Sequence, residues 1–193
     1  TKHYRLLDHA RLGGPEGLLT VIGVKYTTAR DVAEKTVNLA AKKLGKAKEG
    51  SRSRATPLVG GDIPRFASFV EDVLAQAPAG LSPALLRHLA LNYGTEYARL
   101  LAYGQENAAL LSPLPGSQVL AAEMVHAARE EMACTLSDAV LRRTELGSAE
   151  YPGDEAVEHC ARLMAKELAW PARRLKSEVE DLRRAYPMLH TVA

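Results

Sequence analysis

From residue 62 onward the chain is punctuated by helix starts and stops, and that punctuation restricts it to a bundle of short helices. Pro64 stands at a first-turn position ahead of Phe66, Phe69, Val70, Val73 and Leu74, which share one side at helical spacing. Ser82-Pro83 joins a capping hydroxyl to a proline at the first helical position, where the missing N–H is no loss. That helix runs to about Asn92, and Tyr93-Gly94-Thr95 then breaks the chain and caps the next one. Pro113, Pro115 and Gly116 form a further break. The spacing predicts helices over Val119–Ala133, Leu136–Leu146 with Gly147 as stop, Glu155–Leu168, and Ala172–Tyr186 before Pro187. Pro171 separates the last two, because proline forbids an uninterrupted hydrogen-bond ladder.

The front of the chain has another period. Two β-type runs, His3–Leu7 and Leu18–Ile22, flank the turn-rich stretch Gly13-Gly14-Pro15-Glu16-Gly17 and read as a hairpin with a long loop. After Gly23 the period becomes helical. Val32, Ala33, Val37, Ala40, Ala41 and Leu44 recur on one face from Ala29 to Leu44, with Thr27 or Thr28 as the N-cap and Gly45 as the stop. Residues 46–61 are Lys-, Ser-, Arg- and Gly-rich, with no period of 2 or 3.6. The expectation is a mainly α protein in which an N-terminal β-hairpin leads into an all-α bundle of about seven helices. The chain divides into three segments: 1–45, a basic linker at 46–61, and a helical domain at 62–193. A chain of 193 residues is long enough to build such a core without a disulfide or metal.

Composition narrows the function. A net charge of +2 is too small to argue for nucleic acid as the partner. Cys134 and Cys160 lie inside helical patterns and read as inert, partly buried thiols of a reducing compartment. No apolar stretch approaches the ~20 residues that span a bilayer, and no signal peptide is visible, so a cytoplasmic location is expected. The stretch Lys42, Lys43, Lys46, Lys48, Arg52 and Arg54, with Glu49 as its acid, reads either as a solvated linker or as a peripheral contact with an anionic membrane. The chain opens on Thr1 within a strand-type run, which reads as a fragment. Arg142-Arg143 reads either as a pair that favours a helix C-terminus and meets nearby Glu or as a contact for an acidic partner. His88, His126 and His159 stand singly on helices; His126 and Glu130 share a face, but no third ligand is in register for a metal. Trp170 reads as a core anchor at a helix junction.

The stretch Thr20–Arg30 is where chemistry is expected. A strand runs straight into a helix N-terminus, and Lys25, Thr27 and Thr28 occupy the joint. Free N–H groups and about half a positive charge at such a terminus suit a phosphate or a flavin carbonyl, and Lys25 adds a full charge. The competing reading is a plain strand-to-helix turn with a solvated lysine.

The residues here resemble a family. Gly23-Val24-Lys25-Tyr26-Thr27-Thr28-Ala29-Arg30 is similar to the Gly-Gly-Lys-(Trp/Leu)-Thr-Thr-Tyr-Arg motif of the FAD-dependent glycerol-3-phosphate dehydrogenases. Tyr93-Gly94-Thr95 resembles that family's Tyr-Gly-Ser/Thr break. The run Glu123–Gly147 is similar to its Glu-Val-x-Tyr-Ala-x-Arg-x-Glu-Met-Ala-x-Thr-Leu…Asp-x-Leu-x-Arg-Arg-Thr-x-Leu-Gly segment, and Glu167-Leu168-Ala169-Trp170 to its closing Glu-Leu-Gly-Trp. The resemblance implies oxidation of sn-glycerol 3-phosphate to dihydroxyacetone phosphate by hydride transfer to FAD, with electrons passed to membrane quinone. It implies that the partner is an N-terminal FAD-binding domain of the same polypeptide. Gly23, Val24, Tyr26 and Thr27 would border the flavin, Lys25 would stand by flavin and substrate, and Lys2 or Arg5 would take the place of a phosphate-binding arginine. Val24 stands where the family has its second glycine, and Lys2 lacks the bidentate grip of arginine. No Gly-x-Gly-x-x-Gly comes after a strand, so this chain alone is expected to be inactive and free of FAD. The alternative is a non-catalytic helical interaction or regulatory module with the same fold. A hairpin cut from its sheet is expected either to be weakly protected or to dock on a second copy, giving a homo-oligomer.

Overall fold

A computed structural model describes residues 3–23, 25–46, 50–78 and 80–186. These fall into two compact units, one within Thr1–Leu58 and one within Val59–Ala193.

In the first unit, strand β1 (Arg5–Asp8) pairs antiparallel with β2 (Leu19–Ile22), with Arg5 opposite Ile22 and Asp8 opposite Leu19. A 3-10 turn at His9–Leu12 begins the connection, and Gly13 ends it in the left-handed region. His9 Nε2 lies 2.9 Å from Thr20 Oγ1 across the loop base. Helix α1 (Ala29–Lys43) comes after β2 through a 3-10 turn at Tyr26–Thr28. Lys43 Nζ on α1 lies 2.8 Å from Asp8 Oδ1 and holds the Asp8 carboxyl below its ordinary range. Val32 is buried, whereas Val37 and Leu44, expected on the same inward stripe, are exposed.

The second unit is helical: α2 (Phe66–Ala75), α3 (Pro83–Tyr93), α4 (Tyr97–Glu106), α5 (Ala121–Arg129), α6 (Leu136–Asp138), α7 (Asp154–Glu167) and α8 (Ala172–Arg184). Together with the hairpin this is the mainly α architecture read from the sequence. Several boundaries differ from that reading. Pro64 precedes α2 instead of opening it, because Arg65 takes the extended conformation of an N-cap. Ser82 does cap α3, its Oγ accepting from Leu85 N–H at 3.2 Å. The helix expected over Val119–Ala133 is α5 alone. Its end is set by Met132, which adopts φ 58°, and Ala133 N–H closes back on Ala127 O at 2.9 Å. This wide closure at a left-handed residue is the job glycine usually does. After α6 the helix widens into a π turn over Ala139–Arg143, so the expected regular helix to Leu146 is not formed. Thr144 N–H reaches Ala139 O at 3.0 Å, five residues back.

The core lies between α3, α4, α5, α7 and α8. Leu89, Leu100, Leu120, Met124, Leu136, Met164 and Leu182 show no exposure. A smaller cluster joins Val70 and Val73 of α2 to Leu86 and Ala90 of α3. Cys160 is buried in the main core, and burial pushes its thiol up to about 12. Cys134 is exposed, contrary to its reading as partly buried, because it lies in the loop after α5 instead of in a helix. Trp170 is buried, as a junction anchor should be, with Arg174 stacked 4.8 Å above its ring. The Tyr93-Gly94-Thr95 break has a steric cause. Thr95 N–H donates to Gly60 O at 3.0 Å, and a Cβ on Gly94, at φ +52°, would overlap that same oxygen.

Candidate functional site

Two constellations could carry function, one in each unit. The first is the strand-to-helix joint. β2 ends at Ile22, and Gly23 turns the chain at φ 78°, a left-handed conformation that suits glycine. Lys25 is extended (φ −100°, ψ 148°) and leads into the 3-10 turn that becomes α1. Thr28 N–H donates to Lys25 O at 3.1 Å, and Thr28 Oγ1 donates to the same oxygen at 3.3 Å. Thr28 therefore occupies the N-cap of α1 without lending its hydroxyl to an N–H, a different use from the one expected. Gly23, Lys25, Tyr26 and Thr27 are all exposed, and Tyr26 is fully so. Arg5 is also exposed, and the strand register sets it opposite Ile22, beside the motif. The structure thus gathers Arg5, Gly23, Lys25, Tyr26 and Thr27 at one end of the hairpin. Lys2 and Val24 lie outside the described residues.

The joint is an open edge with one charge at Lys25 and one at Arg5. Such an edge fits the rim of a planar, electron-rich group or a phosphate. It is not a dinucleotide cradle, since no glycine-rich strand-to-helix turn with a following acid accompanies it.

The second constellation is buried. Glu123, in the first turn of α5, is 1% exposed and accepts from Leu120 N–H at 2.7 Å, closing the start of its own helix. Tyr93 OH donates to Glu123 Oε2 at 2.8 Å, and His88 Nε2 lies 3.1 and 3.2 Å from the two carboxylate oxygens. Burial, reinforced by the Glu123 charge, pushes the Tyr93 phenol far above its ordinary value. His126 packs between Tyr93 and Tyr103, edge-on to the former at 5.6 Å between ring centres, with Tyr103 OH 3.5 Å from its Nδ1. Glu130, on the face of α5 that carries His126, pairs with Arg99 at 3.0 Å. Arg142 pairs with Asp138 at 2.8 Å, and Arg143 donates to Glu131 O at 2.9 Å; neither meets the nearby Glu side chain expected of them. Among the described residues no group of three or more His, Cys, Asp or Glu converges to hold a metal ion.

Sequence reading missed this cluster. His88 and His126 read as isolated, and Glu123 as one acid in a motif. The available signal was Glu123 three residues into a helix after an apolar Leu120, which marks a first-turn acid without revealing its partners.

A family model described as the C-terminal domain of alpha-glycerophosphate oxidase matches residues 51–192. The chain belongs to this family. It is 29% identical over 176 residues to a probable mitochondrial glycerol-3-phosphate dehydrogenase of Dictyostelium discoideum, covering 90% of the chain and 27% of that protein. To glycerol-3-phosphate dehydrogenase 2 of Mycobacterium bovis it is 32% identical over 179 residues, covering 90% of the chain and 30% of that protein. It resembles the crystal structure of the glycerol-3-phosphate dehydrogenase of Bacillus halodurans complexed with FAD, with a TM-score of 0.70 and 25% identity over 86% of the chain and 34% of that structure. The chain spans less than a third of the length of each of these two relatives. Among the described residues, no helix is long and apolar enough to cross a membrane.

Proposed function

We propose that this chain is the C-terminal part of an FAD-dependent glycerol-3-phosphate dehydrogenase. Residues 1–45 complete the flavin and substrate region, 46–61 link, and 62–193 form a helical cap. The observation that carries this reading is the joint itself. In a chain of this family, Gly23, Lys25, Tyr26 and Thr27 share one exposed turn, with Arg5 across the strand register beside them.

FAD, when bound, supplies the acceptor for the hydride that leaves the substrate carbinol. The chain's own residues do the rest at this edge. Gly23 lets the backbone turn close to a flat ligand, and Tyr26 and Thr27 border it. Lys25 sets a positive charge where negative charge develops, and Arg5 offers a planar, two-pronged donor for a phosphate. Val24 and Lys2 belong to the same proposed border. The substrate is sn-glycerol 3-phosphate, the product dihydroxyacetone phosphate and the acceptor of electrons a membrane quinone, with the enzyme cytoplasmic and peripheral. Without an N-terminal dinucleotide-binding domain the chain is inactive, because its own residues supply only one side of the site.

The test is Lys25→Ala in the full-length enzyme, with FAD content and helical circular dichroism measured alongside turnover. Loss of one preorganised charge-stabilising group costs about 100-fold in rate. That loss at unchanged FAD content and helicity is the expected result. Turnover equal to the parent would show Lys25 to be a solvated turn residue and overturn the assignment.

A further inference from the structure

His88 has one ring nitrogen fixed and the other shared between two incompatible partners. Nε2 faces both oxygens of Glu123, at 3.1 and 3.2 Å. A carboxylate accepts and does not donate, so Nε2 carries a proton whether the ring is neutral or charged. Nδ1 then decides the state of the ring. It has Asn92 Nδ2 at 3.1 Å and Glu145 Oε1 at 3.0 Å. A neutral ring presents a lone pair at Nδ1, which accepts from the Asn92 amide and repels the Glu145 carboxylate. A charged ring presents Nδ1–H, which donates to Glu145 and no longer accepts from Asn92.

We propose that His88 is a proton-operated latch. When charged, it ties the Glu145 carboxylate to α3; when neutral, Nδ1 accepts from Asn92 and that carboxylate is released, while Thr144 and Gly147 stay bonded to the π turn. The partners are suited to exchange. The His88 side chain is 6% exposed and that of Glu145 58%, so the ring stays fixed while the carboxylate can swing to water. Asn92 is exposed as well, and neither partner fills core volume.

The charges around the ring are few. Glu123 faces it from α5 and Glu145 from the segment after the π turn, while Tyr93 on the same helix reaches it through Glu123. Arg87 lines the outer cleft with His88 and Glu145. Arg142, Arg143 and Glu131 line the adjoining cleft with Glu123 and Glu145. The hydrogen bond to Glu123, helped by both carboxylate charges, holds the imidazole above its ordinary 6.5 against the opposing effect of burial. The latch is therefore shut below that value and opens as pH rises through the raised one. The released carboxylate rims a cleft of about 290 Å³ whose wall includes Asn92, Tyr93 and Arg143, so opening changes the charge at its edge.

Nitrogen-15 NMR titration of the His88 ring tests this in the 193-residue chain, alongside Glu145→Gln and Asn92→Ala. Both substitutions fall on exposed side chains, and the fold should survive them. The parent ring should titrate above 6.5, with the backbone amides of residues 144–148 moving at the same midpoint. Glu145→Gln removes the partner of the charged state and should lower the midpoint. Asn92→Ala removes the partner of the neutral state and should raise it. Displacements in opposite directions establish the exchange. Displacement in one direction only, no displacement, or amides at 144–148 that ignore the ring would overturn it.

Discussion

Glu123 has three donors around two oxygens: His88 Nε2–H, Tyr93 O–H and Leu120 N–H, from one helix and a loop end. Removing the carboxylate strands all three in the interior, and each buried unpaired donor costs about 1–3 kcal/mol. Glu123→Ala is therefore expected to lose about 3 kcal/mol or more of unfolding free energy in urea at pH 7. A loss under about 1 kcal/mol would mean that water replaces the carboxylate and the site is not dry. The pH dependence has a definite sign. His88 gains its partner on folding and its affinity for a proton rises, so its contribution is whole below 6.5 and is lost as pH climbs through the raised folded value. That decline should shrink in Glu123→Ala, where Glu145 alone still favours the charged ring. The sequence carried the two candidate sites unequally. Lys25 and its neighbours are contiguous, and a period change at Gly23 marks them. Glu123 meets His88 and Tyr93 from 35 and 30 residues away, and no local pattern encodes a pairing that arises only when α3 packs on α5.

At the scale of elements, the hairpin and the helices rest on different foundations. Among the described residues of the first unit Val32 is the one buried side chain, and the strands are at best half-buried. An isolated two-stranded hairpin is marginal in water. In α5 every residue from Ala121 to Ala127 is buried. Hydrogen exchange on the dilute monomer is expected to show the amides of residues 19–22 exchanging through local opening, well before those of 124–127. Equal protection would show that the hairpin shares the cooperativity of the core. The same contrast explains which elements were legible. Ser82-Pro83 fixed the start of α3 because the cap is a local hydrogen bond. Pro64, Met132 and the π turn at Ala139–Arg143 misled the reading because their conformations answer to tertiary packing: a methionine does not announce φ 58°, and apolar residues at helical spacing fit a widened turn as well as a regular one.

The whole chain joins a weakly buried first unit to a second with its own core, and the junction is exposed throughout. Residues 50–59 are all exposed, Arg52 and Arg54 among them, and they carry no strand or long helix. Exposed backbone of this kind is where proteases cut. The second unit should outlast the cut. Its core from Leu85 to Leu182 is built from its own helices, as is its smaller cluster on α2 and α3. Its buried Glu123 cluster draws His88 and Tyr93 from within the same unit, and on its surface Arg129 binds Glu167 at 2.7 Å and Glu106 at 3.0 Å. Brief trypsin digestion is therefore expected to cleave after Arg52 or Arg54 first and to leave a product beginning just beyond, which mass spectrometry identifies. That product should keep the helical circular dichroism of α2 to α8 and melt cooperatively within a few degrees of the uncut chain. A product that melts without cooperativity, or first cuts inside α3 to α5, would show that the helical unit depends on the segment before Val59.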